Sequence, residues 1–283
     1  MKAPLNSHRD KWLVLPLVIF FTFFVAIPLL LMLGVSIFND ASMTQLGVGQ
    51  YVKFLGDGFN RGILFETLFI ALCSVLVSIL IGYPVAYVYT LLSRGWQRLL
   101  LFAILLPLLT SSVVRTFSWV VILGREGLIN QLLISLGLIT TPIKLLYTQG
   151  AVIIAVSQIE MPMMILPLIS SLSSIDSRLK DASYALGAGY WRTFFSVTLP
   201  LSMPGLLAGS LLVFAASASA FVTQTLIGGG RMIFMPFYIY QQAIQSQNYP
   251  FAATIAVILL CTVMALVSLI NFMGRRSKGF IHG

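Results

Sequence analysis

Six stretches of the chain are apolar for twenty or more residues, and polar residues gather between them. The runs cover residues 13–38, 67–93, 99–124, 145–175, 204–227 and 250–273. A helix needs about 20 apolar residues to cross about 30 Å of hydrocarbon, and a backbone in lipid must bond to itself, so each run predicts a membrane-spanning helix. The helical period is blurred, because lipid and protein interior both accept apolar side chains. The run 13–38 contains no charge and has no small-residue cleavage site, so it reads as a retained span rather than a signal peptide.

Composition agrees with this pattern. Of 283 residues 58% are hydrophobic and 9% charged, and the mean hydropathy is +0.97. An ordinary soluble domain carries about 25% charged residues, so a soluble enzyme, a disordered chain and a disulfide-stapled module are excluded. The formal charge of +9 is scattered in ones to threes between apolar runs, which argues for topology control in a bilayer and against nucleic acid. Cys73 and Cys261 sit inside apolar runs and read as small hydrophobes. His8 and His282 are the only histidines, so neither a metal site nor a histidine-based catalytic set is expected.

With six spans, both termini share one side. That side would hold 11 Lys and Arg (Lys2, Arg9, Lys11, Arg94, Arg98, Arg178, Lys180, Arg192, Arg275, Arg276, Lys278), and the other side 5 (Lys53, Arg61, Arg125, Lys144, Arg231). The positive-inside bias predicts both termini in the cytoplasm. The expected organisation is a cytoplasmic N-terminus, first span and external loop (1–65), a five-helix transmembrane domain (66–273) and a cytoplasmic tail (274–283). An apolar stretch within 125–144 could form a short interfacial helix on the external side.

The one substantial cytoplasmic loop, 173–200, reads as short helical material with Asp181 near a helix start, broken or bent at Gly187 and Gly189. Pro200 and Pro204 read as punctuation before the fifth span. Such a jointed helix suits either docking into a groove of a soluble partner or a plain connector.

Asp181-Ala182-Ser183, Gly187 six residues after the Asp, and Leu199-Pro200 resemble the EAA motif of permease subunits of binding-protein-dependent ABC importers. Asp181 stands for the usual Glu and Ser183 for the second Ala. The resemblance implies a type I importer permease (MetI-like) fold in a bacterial inner membrane. It also implies a coupling helix carrying Asp181, Ala182, Ser183, Leu186, Gly187 and Ala188. The segments 104–119, 125–148 and 248–257 resemble polyamine-type (spermidine/putrescine) permeases, notably their first permease subunit. The implied partners are two ATPase subunits, a second related but distinct permease and a periplasmic substrate-binding protein. No G-x-x-x-x-G-K-[ST] loop occurs, so ATP and Mg are expected on the ATPase and no cofactor in this chain.

Two charges interrupt apolar runs. Arg115, in a P-x-x-x-S-S-x-x-R-x-F pattern with Ser111 and Ser112, reads as a gate, a pairing group or a snorkelling side chain. Glu160, beside Ser157 and Gln158 and before Pro162 and Pro167, reads as a pathway carboxylate, a partner of Arg115 or a neutral buried carboxyl. Gln224, with its neighbouring hydroxyl residues, could line the passage or serve close helix packing. The expected solute is small and nitrogenous, polyamine-type first and amino-acid-like or opine-like second. An ATP-independent secondary transporter is the competing reading, but it would want more midplane carboxylates and an inverted repeat.

Overall fold

The computed structural model describes residues 15–278, with side chains for 15–272. The N-terminal cations of the charge count and His282 lie outside the described residues, as do the side chains of Arg275, Arg276 and Lys278. The described chain is helical apart from turns and one isolated bridge, Phe38 with Leu46. In order, the helices are α1 (Leu15–Ser36), α2 (Gly49–Gly56), α3 (Gly58–Leu91), α4 (Arg94–Leu105), α5 (Ser112–Leu123), α6 (Leu128–Ser135), α7 (Gln149–Ser173), α8 (Ser177–Ala185), α9 (Tyr190–Ala218), α10 (Phe221–Gly228), α11 (Met235–Tyr240) and α12 (Tyr249–Lys278). Six stretches are long and apolar enough to cross a bilayer: α1, α3, α5 with α6 (Ser112–Ser135), α7, α9 and Tyr249–Phe272 of α12. The predicted number of spans is therefore present among the described residues.

Three predicted boundaries move. The run 99–124 is not one helix. Pro107 lies in a 3₁₀ turn, Leu106–Leu109, which separates α4 from α5. Proline has no N–H to donate, and Thr110 closes the break by turning its hydroxyl onto the Pro107 carbonyl at 2.8 Å. Ser111 then caps α5, accepting from the Val113 N–H. The stretch long and apolar enough to cross, Ser112–Ser135, joins α5 through a turn to α6, the short helix that the sequence expected within 125–144. Secondly, α3 starts nine residues before its apolar run, capped by Asp57 accepting from the Phe59 N–H. Its 34 residues span roughly 50 Å, longer than about 30 Å of hydrocarbon. Thirdly, Pro200 and Pro204 do not begin the fifth span. Helical chain runs through both from Tyr190: a π turn at Phe194–Thr198 immediately precedes Pro200, and Pro204 lies inside the α-helical stretch that follows.

The chain divides into two compact units. The first is Met1–Arg61 with Tyr238–Leu260. Within it the end of α1 is anchored by Ser36, whose hydroxyl bonds Tyr51 at 2.7 Å and whose carbonyl accepts from Thr254. Tyr238 donates to Asn60 at 2.8 Å. The Asp40 carboxyl is held at about 2, below the usual range, by the Gln45 backbone N–H first, and then by the Thr44 hydroxyl and backbone N–H.

The second unit is Gly62–Phe237 with Cys261–Gly283. Its centre is the seam between α7 and α9. A Cβ on Gly205 would stand 2.5 Å from the Pro167 carbonyl oxygen, and one on Gly209 3.0 Å from that of Met164. The Gly-x-x-x-Gly spacing lets the backbones touch, which is how helices gain attraction where lipid removes the hydrophobic drive. Buried hydroxyls add cross-links: Ser157 to the Ser74 carbonyl, Ser78 to that of Ser157, and Tyr83 to Ser202 at 2.9 Å.

Candidate translocation and coupling sites

The connector between α7 and α9 is built as a rigid jointed unit. α8 is capped by Asp176, which accepts from the Arg178 N–H, so Asp181 lies in mid-helix and not at its start. Asp176 is the earlier capping-type residue, and helix capping favours the residue just outside the first turn. The far end is a Schellman turn: Ala188 N–H bonds the Ser183 carbonyl and Gly187 N–H that of Tyr184, with Gly187 at φ +80°. A Cβ on Gly187 would meet nothing within 4 Å. The requirement for glycine is therefore the left-handed bend and not a close packing contact.

Beyond the bend, Ser183 bonds Thr193 at 2.9 Å, tying α8 to the start of α9. The Ser that departs from the motif's Ala thus supplies a cross-link. Phe194 sits edge-on to Tyr83 and Tyr87 of α3, each at 5.7 Å, and against Trp191 at 6.3 Å. These contacts join α8 to two long helices, α3 and α9. Outward from this anchor, Leu186 is 89% exposed and Trp191 69%. Asp181, Ala182 and Gly187 are exposed too, and Ser183 and Ala188 half-buried. Sequence reading missed the aromatic anchor, for which the W-x-x-F-F spacing was the available signal.

The intramembrane candidates meet only in part. Arg115 on α5 donates to the Ile159 carbonyl at 3.0 Å, and its buried Nε has no partner. It lies within electrostatic reach of Glu160 without a direct hydrogen bond to it among the described residues. Trp119 donates to Gln158 at 3.0 Å. Arg115, Trp119 and Gln158, with Ser118, Thr110 and a few apolar side chains, line a cavity of about 380 Å³. Ser111 and Ser112 flank it as the cap and first residue of α5, and Glu160 is half-buried outside its lining. Gln224 is fully buried elsewhere, its amide donating to the Ser217 carbonyl at 2.8 Å. Nearby, Thr116 bonds Thr223 at 3.0 Å, joining α5 to α10. Trp119, Ser118 and Thr110 were not singled out in the sequence. They lie three or four residues from Arg115 on one helix face or in the preceding turn, a spacing that could have found them.

Six helices long and apolar enough to span, a capped and jointed connector with an exposed apolar tip, and a cleft that carries Arg115, Trp119 and Gln158 fit the class of transport permeases. Residues 74–277 match the model of the binding-protein-dependent transport system inner membrane component, and the chain belongs to that family. It is 33% identical over 276 residues to the spermidine/putrescine transport system permease protein PotB of Haemophilus influenzae, covering 96% of each. The PotB of Escherichia coli K12 is 34% identical over 269 residues, 94% of each chain. In fold, the chain is similar to a subunit of a bacterial alginate ABC transporter in complex with an alginate pentasaccharide-bound periplasmic protein (TM-score 0.75, 20% identity, 96% of each chain). A chain of the MetNI methionine transporter is also similar (TM-score 0.55, 19% identity, 77% of this chain and 94% of that one). The protein is thus a multi-pass inner-membrane permease subunit of an ABC importer, a class that works with an ATPase and a periplasmic binding protein.

Proposed function

We propose that the chain forms half of a translocation pathway for a polyamine-type solute, paired with a second, distinct permease and served by two ATPase subunits that carry ATP and Mg. Both termini face the cytoplasm, which puts α8 on the ATPase side. The observation that carries the substrate reading is the identity to spermidine/putrescine permeases over nearly the whole chain. Its test is uptake of labelled spermidine and putrescine by cells expressing the complete transporter and lacking other polyamine uptake. Saturable ATP-dependent uptake is expected. Uptake that an amino acid abolishes and a polyamine leaves untouched would overturn the reading.

The second reading, an amino-acid-like or opine-like solute, is favoured by one feature. The cavity around Arg115 is lined by a guanidinium, an indole and an amide with no carboxylate, which suits a solute bearing an anionic group.

For coupling, α8 and its exposed tip enter a groove of the ATPase and transmit its closure through the aromatic anchor. Gly187→Asp places a side chain at φ +80° and is expected to abolish transport while the permease still inserts. Normal uptake together with normal transport-linked ATP hydrolysis in that variant would defeat this role.

A further inference from the structure

A second cavity, of about 360 Å³, lies in the same unit, beside the turn that follows α5 and the start of α7. Leucines floor it, and Arg125, Lys144 and Arg231 stand around it with Tyr147. No carboxylate is among its lining residues. The three cations come from three separate segments, and each segment is pinned. Asn130 is 1% exposed; its amide donates to the carbonyls of Gly124 and Ile143, and its oxygen accepts from the Ile143 N–H. One buried side chain therefore ties the residue before Arg125 to the residue before Lys144. On the third side, Gly229 (φ +64°) packs so close to Tyr147 that a Cβ there would overlap the ring, and this fixes the turn that carries Arg231. Tyr147 itself is held at φ +65°, an uncommon backbone state for an aromatic residue.

Like charges gathered on a clamped frame repel one another unless something anionic completes them. Their side of the membrane sharpens the point. In the topology proposed above these are three of the five cations on the external side, the side from which Lys and Arg are normally depleted. Of the other two, Lys53 already rests 4.7 Å over the ring of Phe251. A polyamine would be repelled here, and juxtamembrane cations that recruit anionic lipid belong chiefly on the cytoplasmic leaflet. The external partner on which this family depends is the binding protein.

We infer that the Arg125–Lys144–Arg231 pocket is a docking socket for an acidic side chain on the surface of the periplasmic binding protein. The carboxylate enters among the three cations, and the rigid frame fixes the register in which the binding protein seats. The field of the cluster also steers its approach, so the contribution falls with added salt. This inference rests on the importer topology proposed above.

The test uses the assembled transporter in lipid nanodiscs, titrated with its companion binding protein while ATP hydrolysis is read. The triple variant Arg125→Ala/Lys144→Ala/Arg231→Ala is expected to raise the half-stimulating concentration about tenfold at low salt. Basal hydrolysis and the stimulated maximum should stay as in the parent, and the gap should narrow as salt rises. Arg231→Lys keeps the charge and should stay near the parent, and with the single Arg231→Ala it carries the comparison if the triple variant assembles poorly. An unchanged half-stimulating concentration overturns the socket. So does a response that follows the phosphatidylglycerol content of the nanodisc and disappears in the variant, which would assign the pocket to a lipid headgroup. Absence of any stimulation in the parent would bring down the importer topology and the socket together, so the two failures are separable.

Discussion

α1 and α7 are apolar helices of similar length, and the protein treats them in opposite ways. Every side chain from 15 to 31 in α1 is exposed on this chain, Phe24 at 70%. In α7 twelve of 25 side chains are buried, among them Met164 and Leu168 at 0%. Both are apolar enough to cross a bilayer, and the exposed α1 is the more apolar of the two, so burial does not follow hydropathy: lipid is as apolar as a leucine cluster. What separates them is small and polar content. α7 carries Ser157, Gln158 and Glu160 and meets the glycines of α9, whereas α1 has large side chains over most of its length and bonds its one mid-span hydroxyl, Thr22, back to its own Val18 carbonyl. A helix with nothing to offer a neighbour faces lipid, and one with short side chains and hydrogen-bonding groups is taken inside.

The largest effect expected from this contrast comes from a carboxylate moved between the two environments. Val25→Glu should raise the apparent insertion cost of α1 by about 3 kcal/mol, because no protein group stands ready to meet the charge. Glu160→Gln in α7 should leave insertion as it is and alter only uptake. A glycosylation-reporter insertion assay reads both, and equal costs at the two sites would break the comparison. Next is overpacking of the seam. Gly209→Leu drives a side chain into Met164 and should cost about 1–3 kcal/mol, read as a lowered Tm of the purified permease. Leu30→Ala on α1 should not move Tm. The smallest effect is Ser157→Ala, which removes the bond to the Ser74 carbonyl and should cost about 0.6 kcal/mol, near the mean for hydrogen bonds between membrane helices.

The coupling loop was legible because its signals are local. A capping residue before a short helix and a glycine after it fix their own bonds, although the structure puts the cap at Asp176 and moves Asp181 from the helix start to its middle. The prolines were misleading for the same local reason. Pro107 did end a helix and Pro200 did not, because a π turn precedes Pro200 and Phe194 within that turn packs on Tyr83 and Tyr87. Among the pathway candidates, the sequence singled out Arg115, Gln158 and Glu160 as polar intruders, but not which of them share a cavity. Arg115 and Gln158 do, through Trp119, while Gln224 is spent inside a packing contact.

The sequence alone was enough for the membrane class, the number of spans and the family of the cytoplasmic loop. Each of these follows from the cost of leaving backbone or charge unsatisfied in hydrocarbon, and that cost is paid within a short window of chain. Only the tertiary structure decided which apolar helix is packed inside the chain, which intramembrane polar groups meet, and that Arg125, Lys144 and Arg231 surround one cavity although 106 positions separate the first from the last. Those outcomes depend on close approach at Gly205, Gly209 and Gly229 and on one buried amide, Asn130, that bonds two distant carbonyls. Contacts of that kind join residues far apart in the chain, so no local pattern of hydrophobic and polar positions encodes them.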